Sequence, residues 1–281
     1  MKLEALDVLR CPACRGQLQA QVPAGQVELE EGELTCADCS RSWAVRSGIP
    51  QLVFPDELEG EELRSRKLWE RVAPIWGTIA AATNAIRGLD GTRERHQLVD
   101  RLELRPGGAV LEIAAGAGDN LAIIARRAGG REAVFGVDLS PRMLRKAQGK
   151  LRSLPHPPEL VYGNSGFLPF ADEAFDAVLD GFGMKYYSDK RRAMEEMLRV
   201  VRPGGKVVIT ELGLPAGKRR TLRQRLLLLW IPQFGEPPPL DQVPRLAEGV
   251  KVDWDGPETA YTLEFRKAGR TEIDDKGRRK Q

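Results

Sequence analysis

The sequence predicts an α/β protein: a mostly parallel sheet with helices on both faces, closed by an antiparallel hairpin and preceded by a small β-rich, metal-stapled unit. Three observations carry this. Short apolar runs at 109–113, 133–138, 160–162, 175–180 and 206–212 alternate with helical stretches, as buried parallel strands joined by crossovers do. Two later runs, 250–253 and 259–265, flank a Gly-Pro turn and read as the closing hairpin. The chain's four cysteines fall near the N-terminus as two Cys-x-x-Cys pairs.

The first strand runs into Ala114-Ala-Gly-Ala-Gly118, and a helix follows. Gly116 and Gly118 let backbone approach a ligand where a side chain would collide. Asp138, twenty positions after Gly118 at the tip of the second strand, stands where a carboxylate accepts both ribose hydroxyls. A dinucleotide fingerprint needs a third glycine where Leu121 stands, which disfavours a pyrophosphate cofactor. Glu112 would repel a pyrophosphate, yet it suits the ammonium and sulfonium of S-adenosylmethionine. Farther along, Ser140 and Pro141 read as the N-cap and first residue of a helix. The third strand ends in Gly163-Asn164-Ser165. A helix at 190–201 is closed by Pro203-Gly204-Gly205.

This strand–glycine turn–helix–acid pattern resembles motif I of the class I S-adenosylmethionine-dependent methyltransferases. Leu168-Pro-Phe-Ala-Asp-Glu-Ala-Phe-Asp176, Phe182-Gly-Met-Lys185 and Met197-Leu-Arg-Val-Val-Arg-Pro-Gly-Gly205 are similar to the ubiquinone/menaquinone biosynthesis C-methyltransferases. The similarity runs from about Leu68, where Trp69-Glu-Arg-Val-Ala-Pro-Ile-Trp76 matches their capping helix, to about Gly235. It implies a Rossmann-like class I methyltransferase sheet. It also implies Gly116 and Gly118 along the methionine moiety, Asp138 on the ribose, Leu139 on adenine and Asn164 accepting from the adenine amine, with Ser165 beside it. Asp180 and Lys185, after the fourth strand, are the candidates for polarising or deprotonating the acceptor, with Tyr186 and Tyr187 behind them. One departure concerns substrate. Enzymes of that type read Phe-Gly-Ile/Leu-Arg-Asn where this chain reads Phe182-Gly-Met-Lys185-Tyr186, a point charge in place of a planar bidentate donor.

Cys11, Cys14, Cys36 and Cys39 offer four thiolates as two short chelates, a set suited to tetrahedral structural zinc with no open coordination position. Two disulfides or unmetallated thiols are the alternatives. The stretch starting at Met1 lacks the apolar core of a signal peptide, so a reducing cytoplasm is expected. The flanking residues, from Leu9-Arg-Cys to Ile49-Pro-Gln-Leu-Val53, resemble the zinc-ribbon proteins that activate methyltransferases of tRNA, rRNA and release factors in trans. Trp43, Ile49, Leu52 and Val53 are left to pack within such a ribbon or against the catalytic unit.

The expected organisation is a zinc ribbon at 1–55, a linker and helical cap at 56–104, a catalytic domain at 105–268 and a disordered tail at 269–281. Residues 1–62 carry 5 Lys/Arg against 12 Asp/Glu, and the rest carry 38 against 28. An acidic ribbon can therefore dock on a basic enzyme, or its acids can simply stay solvated. Lys218-Arg-Arg-Thr-Leu-Arg-Gln-Arg225 and the apolar run to Ile231 admit three readings: membrane-surface contact through 218–231, a lid helix, or an ordinary core helix with a cationic end. The run is too short to span a bilayer. The fourth strand is not followed by the Asn/Asp-Pro-Pro-Tyr/Phe run of adenine or amide methylation, and no cysteine is left as a nucleophile. His96 and His156 read as solvated or structural. The expected activity is methyl transfer from S-adenosylmethionine to a small, lipophilic, quinone-like or phenolic acceptor. The alternatives are an RNA or translation-protein acceptor, with nucleic acid admitted but not favoured, and a degenerate cofactor-binding module.

Overall fold

The computed structural model describes residues 1–105, 107–129, 134–215, 217, 219–230 and 235–269. The expected tail lies, from residue 270, outside them, as do residues 218 and 231 of the basic–apolar cluster. Among the described residues one mixed sheet runs through the whole chain. Its centre is β5 (Val110–Ile113), flanked by β6 (Val134–Asp138) and β8 (Phe175–Gly181); outside these lie β7 (Glu159–Gly163) and β9 (Val201–Leu212), all parallel. The closing hairpin, β10 (Ala247–Trp254) and β11 (Ala260–Lys267), inserts β11 antiparallel against β9. The order β7-β6-β5-β8-β9-β11-β10 places a switch point beside β5, where open α/β sheets bind ligands.

Helices α4 (Asp119–Ala128) and α5 (Pro141–Leu151), together with α3 (Gly91–Asp100), cover one face. They bury Leu98, Leu121, Ile124 and Leu144 against Val110, Leu160 and Val208. Ser140 caps α5 as its sequence predicts, accepting from Met143 N at 3.2 Å. On the other face α6 (Lys190–Val200) packs beside three phenylalanines, Phe135, Phe170 and Phe175, whose rings meet edge to face at 5.2–5.7 Å. One boundary differs from the sequence reading. Strand β9 starts at Val201, not at 206, because Pro203-Gly204-Gly205 forms a bulge between the pairs Phe175↔Val201 and Ala177↔Lys206. Over the C-terminal ends of the strands lie α1 (Gly60–Val72) and α2 (Trp76–Arg87), and α7 (Leu222–Trp230) packs along α2.

The N-terminal strands β1 (Leu18–Ala20), β2 (Gly32–Cys36), β3 (Ser42–Arg46) and β4 (Ile49–Leu52) form an antiparallel ribbon. Its last strand pairs parallel with β7 through Gln51↔Tyr162 and Leu52↔Gly163, which makes the ribbon the edge of the catalytic sheet. Leu9 is bridged to Phe170, and Leu9, Leu18, Leu34 and Trp43 share one core cluster with the phenylalanine triad. Ile49 packs into the cluster on the opposite face. The local contact is opposite in sign to the overall charge asymmetry, an acidic ribbon on a basic remainder. The ion pair described across the junction runs from Arg15 of the ribbon to the buried Glu196 at 3.3 Å, and Lys2 N donates to Glu159 at 3.2 Å.

Candidate active site and metal centre

Two adjoining cavities lie over the tips of β5 and β8. The first is bounded by Glu112, the 114–117 turn, Asp138, Leu139, Asn164 and Ser165, together with Trp69 and Trp76 of the helical cap. Glu112 is buried, accepts from Asn120 Nδ2 at 2.7 Å through Oε1, and leaves Oε2 without a partner among the described residues. Loss of hydration raises its pKa to about 8, even though the Asn120 hydrogen bond and Arg95 pull it down. An orphaned carboxylate oxygen facing a cavity is a receptor for a cationic donor.

Asp138 holds the glycine turn. Its Oδ2 accepts from Gly116 N at 2.8 Å and its Oδ1 from Ser140 N at 2.8 Å, and burial lifts its pKa to about 6. The carboxylate borders the cavity with acceptor capacity beyond these backbone donors. Asp138→Asn therefore loosens the turn as well as removing an acceptor. S-adenosylmethionine affinity is expected to fall at least ~10-fold by calorimetry, with a slightly lower melting temperature. Unchanged affinity would remove Asp138 from the site.

The two glycines divide their work. Gly116, at φ 54°, has no protein atom nearer than 3.8 Å to its missing Cβ, and it borders the cavity. Gly118, at φ 74°, is not among the residues lining the cavity, and its missing Cβ leaves room for Ala147 and Leu151 of α5 at 3.0 Å, which makes it a helix-packing position as well. Leu139, Asn164 and Ser165 stand on the cavity wall. One lone pair of Asn164 Oδ1 is taken by Gly166 N at 3.0 Å, and its amide nitrogen donates to Phe54 O at 3.3 Å. Two residues the sequence reading missed sit at the strand tips in left-handed backbone, Ala114 at φ 52° and Phe182 at φ 69°, and both border the cavity. Non-glycine residues carry no local signal for it.

The second cavity, about 730 Å³, is walled by Leu68, Val72, Ile79 and Ala80 of α1 and α2. Trp69, Trp76, Arg95, Phe182 and Tyr186 form the wall it shares with the first. Lys185 lines it, with Nζ 2.8 Å from Glu211 Oε1 in a buried ion pair and 5.2 Å from the Tyr186 ring. Burial opposes the Lys185 charge, but Glu211 outweighs it, so the ammonium's pKa is raised. Asp180 is placed differently from expectation. It lines neither cavity, its Oδ1 accepts from Gly183 N at 2.8 Å, and Oδ2 has no partner. Burial pushes it up to about 7. The hydroxyl of Tyr187, which does border the first cavity, faces Asp180 in the same buried cluster and is raised well above the phenol range by burial and by the Asp180 carboxylate. Asp180 is therefore positioned to act through the 181–183 turn and Tyr187.

Far along the sheet, the sulfur atoms of Cys11, Cys14, Cys36 and Cys39 lie within 4.8 Å of one another, none in a disulfide. Cys11–Cys39 are 3.8 Å apart and Cys14–Cys36 are 3.4 Å apart. Tetrahedral Zn–S bonds of ~2.3 Å imply sulfurs ~3.8 Å apart, so the donor set fits zinc. None of the four borders either cavity above, and four thiolates leave no open coordination position, the donor set of a structural centre.

A nucleoside-receiving turn and an orphaned carboxylate on a Rossmann-like sheet define an S-adenosylmethionine-binding class. Residues 75–235 match the ubiE/COQ5 methyltransferase family, and the chain belongs to it. Residues 2–48 match Trm112p-like protein. A demethylmenaquinone methyltransferase of Bacillus cereus is 30% identical over 158 residues, covering 56% of this chain and 65% of that relative's length. Among solved structures, Haemonchus contortus phosphoethanolamine N-methyltransferase 2 in complex with S-adenosyl-L-methionine has a TM-score of 0.52 at 16% identity, covering 63% of this chain and 52% of that one. The [4+2]-cyclase SpnF has a TM-score of 0.52 at 18% identity, covering 75% and 98%. At that identity both speak for the fold alone.

Proposed function

We propose that this chain transfers a methyl group from S-adenosylmethionine to a small, lipophilic acceptor of quinone-like or phenolic type. The observation that carries it is the cavity of about 730 Å³ sharing a wall with the cofactor cavity, lined by Leu68, Val72, Ile79 and Leu212 on one side and by charged groups such as Arg87, Arg101 and Asp253 on the other. The demethylmenaquinone methyltransferase relative points the same way. Bound in the first cavity, S-adenosylmethionine supplies an electrophilic methyl on a sulfonium. Glu112 would hold its amino group, Asp138 its ribose, and Leu139 and Asn164 its base. Trp69, edge to face with Trp76 at 5.2 Å and with Tyr186 at 5.4 Å, would exclude water from the join between the cavities. Lys185 stays cationic and stabilises an acceptor oxyanion, which makes the acceptor the better nucleophile. Most of the rate then comes from holding the two reactants together.

Incubation with methyl-labelled cofactor and separated lipid, RNA and protein fractions of the host tests the acceptor; label confined to RNA or protein would overturn it. The Trm112p-like segment is what supports that second reading. Lys185→Met is expected to lower kcat by about 100-fold with cofactor affinity unchanged, since Lys185 lines only the acceptor cavity. Lys185→Arg should restore part of the rate. A Met variant with full kcat would leave the ion pair as scaffold alone.

A further inference from the structure

The cap has an outer face that the chemistry above does not use. Between Val72 and Leu89 there is one charged residue, Arg87, and it is buried. The solvent side of α2 consists of Gly77, Thr78, Ala81 and Ala85, continued by Ile75 at 57% exposure. The outer side of α2 thus carries no charge, while Ile79, Ala80, Thr83, Asn84 and Arg87 line the acceptor cavity behind it. Packed along it, α7 buries Leu227 but exposes Leu222, Leu226 and Leu229, at 74%, 47% and 82%, on one helical stripe. Around that stripe Arg219, Arg220, Arg223 and Arg225 are exposed, and among the described residues no carboxylate pairs with them. The sequence from 213 to 235 holds five cations and no acid.

We propose that the α2–α7 face docks on an anionic lipid surface, with Leu222, Leu226 and Leu229 inserted among the acyl chains and the arginines at the headgroups. Exposed leucines flanked by unpaired cations are the composition of an interfacial helix. Charge selects this occupant. A second copy of the chain would bring the same unpaired cations against these, and RNA offers nothing for three leucines to enter. Among the described residues no helix is long and apolar enough to cross a membrane, so the contact lies in the surface plane. Its purpose rests on the lipophilic-acceptor reading: one helix, α2, then separates the acceptor cavity from the lipid. The docking itself does not depend on that reading.

Co-sedimentation of the full chain with vesicles tests it independently of activity. Binding is expected to vesicles of phosphatidylglycerol mixed with phosphatidylcholine, much weaker binding to phosphatidylcholine alone, and loss of binding at high salt. Arg219→Gln and Arg220→Gln should each weaken binding by about fivefold. Leu226→Glu with Leu229→Glu should abolish it, while melting temperature and cofactor affinity stay put, since neither leucine lines a cavity. Equal binding to neutral vesicles, binding that survives the leucine double variant, or a dimer that the double variant dissociates would each overturn the proposal. So would tight binding to single-stranded RNA with none to vesicles. Vesicle binding without lipid methylation would instead leave the docking standing and remove the acceptor reading.

Discussion

Glu112→Gln is expected to weaken S-adenosylmethionine binding about 100-fold while leaving the melting temperature near that of the parent. The two halves of this expectation have one cause. With its pKa raised to about 8, Glu112 is mostly protonated in the free protein at neutral pH, so a neutral amide replaces a largely neutral carboxyl. The Asn120 hydrogen bond to Oε1 can persist, and the fold loses little. The bound state is another matter. A cation brought to the unpartnered Oε2 requires the carboxylate, and a charged hydrogen bond of this kind is worth ~1.5–3 kcal/mol.

A pH signature follows. The group's pKa is raised, so below about 8 the free protein carries a proton that binding must expel. Affinity is therefore expected to rise with pH, by up to ~10-fold per unit, from above the Asp138 value of about 6 to about 8, and to flatten beyond. Calorimetry in buffers of different ionisation heat should show close to one proton released at pH 7 in the parent and none in Glu112→Gln. If the variant retains the slope, the titrating group is elsewhere and Glu112 is not the ammonium receptor.

What could be read ahead of the structure was whatever is written locally. The β5–turn–α4–β6 unit announces itself because strand, glycines and acid lie within thirty residues, and the Cys-x-x-Cys pairs are equally compact. Features that depend on distant partners were hidden. Nothing in Ile49-Pro50-Gln51-Leu52 says that it will pair with Tyr162 and Gly163, more than a hundred residues on, and the proline argues against a sheet strand at all. The same holds for Gly118, whose neighbours Ala147 and Leu151 belong to the next helix. Asp180 looked available because it ends an apolar strand; that it turns inward toward Gly183 N is a property of the 181–183 backbone. The second cavity draws its walls from α1, α2, α3 and the β10–β11 hairpin, and of these only the Trp69–Trp76 stretch was legible, as a match to a capping helix.

Removal of the metal is expected to have the largest effect on stability, because the ribbon is an edge of the catalytic sheet and not an appendage. Without zinc, four thiols at this spacing have no mutual attraction, and a ribbon this short has too little core of its own to hold its hairpins. Its loss would uncover Leu52 and the β7 edge, and would open the cluster that Leu9, Leu34 and Trp43 share with Phe135, Phe170 and Phe175. Exposed sheet edges and aromatic clusters lead to aggregation. Chelation of the full-length protein should thus lower its melting temperature by on the order of 10 °C. Cys14→Ser, at an exposed ligand, should do so by less while zinc per chain falls below one. Deletion of 1–55 should yield insoluble protein. The cofactor cavity feels the change through Asn164, whose amide is held by Phe54 O at the ribbon's end, so affinity should drop in the chelated protein before unfolding is detectable. A metal-free chain with the parent's melting temperature and cofactor affinity would show that apolar packing alone fixes the ribbon, with the cysteines spectators to the fold.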